Sequence, residues 1–311
     1  MRSAILFLFL FTSLLTVAQT RSRNPYRKSG LLSDSLRSII QQLGIDSSFD
    51  VGEDGKAKVS IVVIDLSQKR PLLGEVNGAA FIYPASVCKM YVAMEVLKQV
   101  SAGKYPLNRS YQVPEHNAVD TSREIAFDPR PLLRAGDTVT INYLLDLMIT
   151  RSDNSAANCL IDIAGRKNIN KTMQENNWQG SEVTRKFLKR NKEDAGYDTI
   201  RPTVTNGLHA ADFMYKVATN QLVNPWVSQQ MKALLGRQLD KSKLAAGLPA
   251  SVMFYHKSGW WSYYTHDVGL VDDGKLRYVI AVFTPLPEAE VLPTLKNLSA
   301  RVYRLMRSLH K

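Results

Sequence analysis

Two cysteines, Cys88 and Cys159, are all that the 311 residues contain, and no C-x-x-C pair occurs. That excludes a disulfide framework and zinc-finger spacing, so neither a metal nor another cofactor is expected. Both cysteines fall on apolar helix-like faces, which suits buried packing residues, although a bridge stays open. Apolar runs of membrane-spanning length are missing as well. Ala4 to Val17 spans 14 residues, against the roughly 20 a span needs. With Arg2 before it and Thr16-Val17-Ala18 after it, this run reads as a cleaved signal peptide over residues 1–18. No cysteine near Ala18 offers a lipid anchor. The expected location is therefore secreted or periplasmic, without stable membrane insertion.

An aromatic-interleaved basic stripe is also absent. The net charge is +12 and the isoelectric point near 9.6, but the positive residues are dispersed. That argues for a basic soluble surface and against a nucleic-acid partner. There is no internal repeat and no low-complexity tract.

What is present suggests one domain. Residues 19–31 read as a basic linker and 32–311 as a single catalytic domain, an α/β lobe (32–84 and 237–311) enclosing a helical lobe (85–236). Ser33 looks like the N-cap of a first helix carrying Leu36, Ile39, Ile40 and Leu43. Val59 to Leu66 is a Val/Ile run typical of a buried strand. Further strands are expected through the seventies and at 251–259, 267–271 and 278–284. Val291, Leu295, Leu298, Val302, Leu305 and Leu309 mark one amphipathic C-terminal helix. An antiparallel sheet flanked by N- and C-terminal helices, with an inserted all-α lobe, accounts for this α/β order.

Chemistry-bearing residues gather in three short elements. Ser-x-x-Lys occurs at Ser86–Lys89, Ser101–Lys104 and Ser308–Lys311. The second holds Gly103 and runs into Pro106, and the third ends the chain, so both read as helix ends. Ser86 instead follows Tyr83-Pro84-Ala85 and opens a helix, where free N–H groups favour negative charge. Lys89 projects from the same face one turn later and can serve as base if desolvation lowers its pKa. Alone, the pair would read as a helix cap and a solvated lysine. Ser152-Asp153-Asn154 lies between two helical stretches, with a hydroxyl to relay a proton, an amide to bind an amide, and Asp153 to hold the turn. Lys257-Ser258-Gly259 ends an apolar strand and suits a carboxylate, Gly259 permitting close backbone approach. The N–H groups of Ser86 and Trp260 could form an oxyanion hole. Trp260, Trp261, Tyr263 and Tyr264 shape the cleft mouth or simply pack.

Together these elements resemble the class A β-lactamase-like serine hydrolases, the penicillin-recognising enzymes with S-x-x-K, S-D-N and K-[ST]-G motifs. The resemblance implies the β-lactamase/transpeptidase-like fold. It implies Ser86 as acylated nucleophile, Lys89 as base, Ser152 as proton relay, Asn154 as substrate binder, and Lys257 and Ser258 as carboxylate binders. Arg185 and Asn191 match a loop beneath the site, which Asp198 could close against Arg185. The position two after Arg185, a water-activating Glu in the β-lactamases, is Phe187 here. Glu182, Glu193 or Asp194 would replace it only on a different loop path. Nine residues beyond Lys257 the family commonly has a carboxylate-binding Arg, and this chain has His266. The implied activity is opening of β-lactam amides through a Ser86 acyl-enzyme, with efficient deacylation in question. A D,D-peptidase or esterase on cell-wall fragments and a non-catalytic sensing module are the alternatives. The implied ligand is a β-lactam or a D-Ala-D-Ala-like peptide, and the expected state a monomer.

Overall fold

A computed structural model describes residues 25–122, 125–187 and 200–310. Its centre is a six-stranded sheet in the spatial order Arg27–Lys28, Leu72–Val76, Ser60–Asp65, Arg277–Thr284, Tyr264–Asp272, Met253–Trp261. Every residue of Ser60–Asp65 is buried. Successive side chains alternate across a strand, so Ile61 and Val63 serve one core and Val62 and Ile64 another. A continuous apolar run with both faces covered is the result.

On the Ile61 face lie helices Gly30–Gln42 and Glu288–Ser308. Leu32, Leu36 and Ile40 of the first meet Val291, Leu295, Leu298, Val302 and Met306 of the second, all buried with Val282 and Ile280. The opposite face sets Val268, Leu270, Ala281 and Phe283 against the helical lobe. Within that lobe, helix Lys89–Ser101 is apolar nearly all round, and residues 89–97 are buried without a break. Such a helix belongs at the centre of a core. Its first residue is Lys89, which places a cation at the junction of the two lobes.

Several boundaries differ from the sequence expectation. The first helix starts at Gly30, capped by Ser29, whose Oγ accepts the N–H of Leu32 at 3.2 Å. Ser33 instead lies inside the helix and accepts the N–H of Glu75 at 3.1 Å. The cause is Arg27–Lys28, assigned to the linker, which pairs in parallel with Leu72 and Leu73. That pair also makes the sheet mixed rather than purely antiparallel. Nor is the inserted lobe all helix: Ser110–Gln112 pairs with Thr138–Thr140, and Phe81–Ile82 with Thr205–Asn206. The proposed signal peptide lies outside the described residues. Among those described, no helix is long and apolar enough to cross a membrane.

Candidate active site

The chain enters the site through Pro84 and Ala85. Ala85 has φ of 46°, a left-handed conformation that costs a non-glycine residue about 1–2 kcal/mol. Here it is held by burial, at 2 % exposure. The 3-10 turn Ala85–Cys88 follows, closed by Val87 N–H donating to Pro84 O at 3.1 Å. Only then does the α-helix begin, at Lys89, so Ser86 sits on a tight turn rather than on the helix itself. Its hydroxyl is half-buried and makes no hydrogen bond to any described residue.

Lys89 is fully buried. Its Nζ donates to the Ser152 carbonyl at 2.5 Å, to Asn154 Oδ1 at 2.8 Å and to Ser152 Oγ at 3.3 Å. From the other side Lys257 Nζ donates to the same Ser152 Oγ at 2.9 Å. One hydroxyl thus bridges the Nζ atoms of two buried lysines contributed by different lobes. Ser152 reaches this place because its backbone turns at φ of 64°. The turn is anchored beneath. Asp153 caps helix Asn154–Ala164 by accepting Ala156 N–H at 2.7 Å, and its other oxygen holds the buried Arg151 guanidinium at 2.8 Å. Arg151 also donates to the carbonyls of Arg130 and Pro131, each at 2.8 Å.

Met253–Trp261 is the edge strand, joined to Tyr264–Asp272 by a two-residue turn with Ser262 at φ of 50°. In a two-residue hairpin the closing pair, Trp261 and Tyr264, exchanges hydrogen bonds. Alternation then makes Trp260 and Ser258 non-bonded positions, whose N–H and C=O groups project from the free edge. The Ser258 carbonyl accordingly accepts Lys257 Nζ at 2.7 Å. A Cβ at Gly259 would lie 2.8 Å from Ser86 N and 2.9 Å from Val87 N. Gly259 therefore makes room for the nucleophile turn itself, a closer demand than the substrate approach expected from sequence. The same contact brings the Trp260 N–H into the neighbourhood of the Ser86 N–H.

Two residues expected to meet a carboxylate are occupied otherwise. Ser258 Oγ donates to Asp240 at 2.7 Å. Burial alone would raise the Asp240 carboxyl, but Lys243 at 2.6 Å and the hydroxyls of Ser242 and Ser258 hold it well below the usual carboxylate range. His266 has no exposed surface. Its Nε2 lies 2.8 Å from the Tyr83 carbonyl, and its Nδ1 accepts Thr284 N–H at 3.2 Å. That assigns the proton to Nε2, and both ring nitrogens are used in tying the sheet to the segment before Pro84. Burial lowers its pKa to about 4. A neutral ring without a spare N–H has nothing to offer a substrate carboxylate.

The loop beneath the site is pinned residue by residue. Asn170 grips Val183, Arg166 grips Thr184 O, and Arg185 donates to Ile200 O. Lys186 pairs with Asp162 at 2.6 Å. Asn158 Oδ1 accepts Phe187 N–H at 2.8 Å. The Phe187 ring is thereby laid over Lys89, its centroid 4.3 Å from Nζ. Glu182 faces outward to Arg201 at 2.9 Å. Asn191, Glu193, Asp194 and Asp198 lie outside the described residues. Cys88 and Cys159 are free and buried, with burial pushing their thiols up to about 11 and about 12. No group of three or more His, Cys, Asp or Glu among the described residues is placed to hold a metal.

Three contributors escaped the sequence reading. Asn158 carried a signal, since it follows Asn154 by one helical turn on the same face. Asp240 and Asp120, which grips Asn154, carried none, because neither lies in a periodic segment.

The comparisons bear on the family and the fold. A family model described as "Beta-lactamase enzyme family" matches residues 36–306. No curated protein matches the chain. Among solved structures, PBP-A superposes with a TM-score of 0.75 at 19 % identity, over 91 % of this chain and 98 % of that one. A beta-lactamase from Sphaerobacter thermophilus gives 0.73 at 18 %, over 88 % and 97 %. A class A beta-lactamase representative from Bacteroides cellulosilyticus gives 0.70 at 18 %, over 89 % and 98 %. At such identities the structural likeness carries the fold, which is the β-lactamase/transpeptidase-like one.

Proposed function

The chain belongs to the beta-lactamase enzyme family, and from that premise we propose that it is an exported serine acyl-hydrolase that β-lactams acylate at Ser86 and that releases the acyl group slowly. The observation that carries this reading is the Phe187 ring 4.3 Å from Lys89 Nζ. In the first half-reaction Ser86 Oγ attacks the lactam carbonyl carbon and its proton passes to Lys89 in its amine form. The tetrahedral oxyanion faces the N–H groups of Ser86 and Trp260. Collapse breaks the C–N bond, and the ring nitrogen takes a proton from Ser152 Oγ. Lys89 and Lys257, both on that hydroxyl, stand ready to replace it. The product is an ester on Ser86. The contacts of Lys89 and Lys257 with Ser152 Oγ support this half-reaction.

The second half-reaction needs a water, and a base to take its proton. Phe187 supplies neither a lone pair nor a site for the water, and Asn158 fixes its backbone. A mutant of the fold neighbour PBP-A is described as an acyl-enzyme complex with penicillin G, which recommends that penicillin as the probe. Intact-mass measurement after mixing with benzylpenicillin tests the reading. The expected result is one adduct per chain, lost over minutes or longer. An unmodified mass together with no nitrocefin hydrolysis would leave the sensing module as the surviving alternative.

A further inference from the structure

Asp120 lies at the cleft rim, half-buried, in the irregular stretch after Glu115–Asn117. Its Oδ2 accepts the N–H groups of Asn154 at 2.7 Å and Ser155 at 3.2 Å, and its Oδ1 accepts Asn154 Nδ2 at 3.0 Å. The Asn154 amide is thus clamped from both ends, with its carbonyl on Lys89. Flipping it would set the NH2 against the N–H groups of Lys89 and the carbonyl against a carboxylate.

The neighbouring carboxylates are each paired with a cation. Asp153 has Arg151 at 2.8 Å, Asp240 has Lys243 at 2.6 Å, Asp162 has Lys186 at 2.6 Å, and Asp128 has Arg130 at 2.8 Å. Asp120 accepts three N–H groups, and no Lys, Arg or His pairs with it among the described residues. Its charge is felt nearby: after burial, Asp120 is the largest influence raising the Asp153 carboxyl. A chain of net charge +12 therefore sets beside the Asn154 amide a carboxylate that, among the described residues, has no cationic partner.

We propose that Asp120 is a specificity-determining residue, favouring acyl donors whose side chain carries a protonated amine over neutral and anionic ones. The inference rests on the reading that Ser86 is acylated with Asn154 against the donor's amide. A substituent on the carbon next to that amide falls within several ångströms of Asp120. At that range a partly screened charge pair shifts binding by roughly tenfold per unit of charge.

Ampicillin, benzylpenicillin and carbenicillin carry an ammonium, a hydrogen and a carboxylate at that carbon. Their acylation rate constants, followed by intact mass at about pH 6 where the amine is protonated, should fall in that order. The order runs against the net positive charge of the chain, which by itself favours carbenicillin. Asp120→Asn and Asp120→Ser should collapse the ratio of the extremes to within roughly threefold, and about 1 M salt should narrow it in the wild type. A ratio taken within one variant cancels any general loss of activity. Equal wild-type rates, carbenicillin reacting fastest, or an unchanged ratio in Asp120→Asn each overturn the proposal while acylation itself stands. Absence of a Ser86 adduct with all three overturns the acylation reading and this inference with it.

Discussion

Replacing Phe187 by Glu should turn a penicillin trap into a faster hydrolase. The substitution keeps the backbone that Asn158 holds at 2.8 Å, so the new side chain leaves the same Cβ toward Lys89. A glutamate carboxyl reaches about as far as a phenyl centre, and that centre stands 4.3 Å from Nζ. The carboxylate therefore falls within ion-pair reach of Lys89 and within one water of the Ser86 ester. A positioned general base contributes on the order of a hundredfold to ten-thousandfold, against a cation–π contact of about 0.5–2 kcal/mol lost with the ring. The base dominates. In a mass-resolved time course the acyl-enzyme of Phe187→Glu should decay at least a hundredfold faster than the wild type. Phe187→Leu, which removes the ring without adding a base, should leave the adduct long-lived. A wild-type adduct that decays in under about a second, or a folded Phe187→Glu protein with unchanged decay, would refute the argument that the loop lacks a base.

Ser86→Ala should abolish labelling by a fluorescent penicillin while circular dichroism stays unchanged, and Lys89→Met should slow labelling by several orders of magnitude. Labelling that survives Ser86→Ala would place the nucleophile elsewhere. Gly259→Ala would drive a Cβ into the backbone at Ser86 and Val87, 2.8 and 2.9 Å away. Because backbone yields less readily than a side-chain tip, the expected cost is about 1–3 kcal/mol, read as a fall in Tm of roughly 2–4 °C per kcal/mol with acylation impaired as well. His266 is buried and neutral, with a pKa near 4 against about 6.5 unfolded. Between those values the unfolded chain binds the extra proton, so its contribution erodes as pH falls from about 6.5, reaching about 3 kcal/mol of lost stability near pH 4. Urea denaturation of His266→Gln should show a flatter pH dependence over that window, and an unchanged slope would contradict the assignment. Intact mass should show no two-dalton gain on reduction, since Cys88 and Cys159 are free thiols.

What was legible in the sequence was what repeats or lies close along the chain. Ser60–Asp65 announces itself through an unbroken Val/Ile run and the Val291–Val302 face through a period of 3.6 residues, because each must fill a core. Ser86 with Lys89, and Ser152 with Asn154, are local spacings, and the fold brings the second pair onto Lys89 Nζ. Lys257 joins them across 105 residues, which no local pattern foretells and only the order of the three motifs suggested. Where the reading went astray, the deciding partner was distant. Ser29 displaced Ser33 as cap because Lys28 pairs with Leu73. Ser258 turned to Asp240, and His266 to the Tyr83 carbonyl. The direction of these departures matters for chemistry. His266 and Ser258 have been drawn into supporting bonds, while Lys257 stays on Ser152 and Asp120 pairs with no cation among the described residues. On the proposed reading, a donor that suits both carries its carboxylate toward Lys257 and a neutral or cationic group toward Asn154. That proposed polarity is built by residues far apart in sequence, and it would narrow the substrate more than the three motifs do.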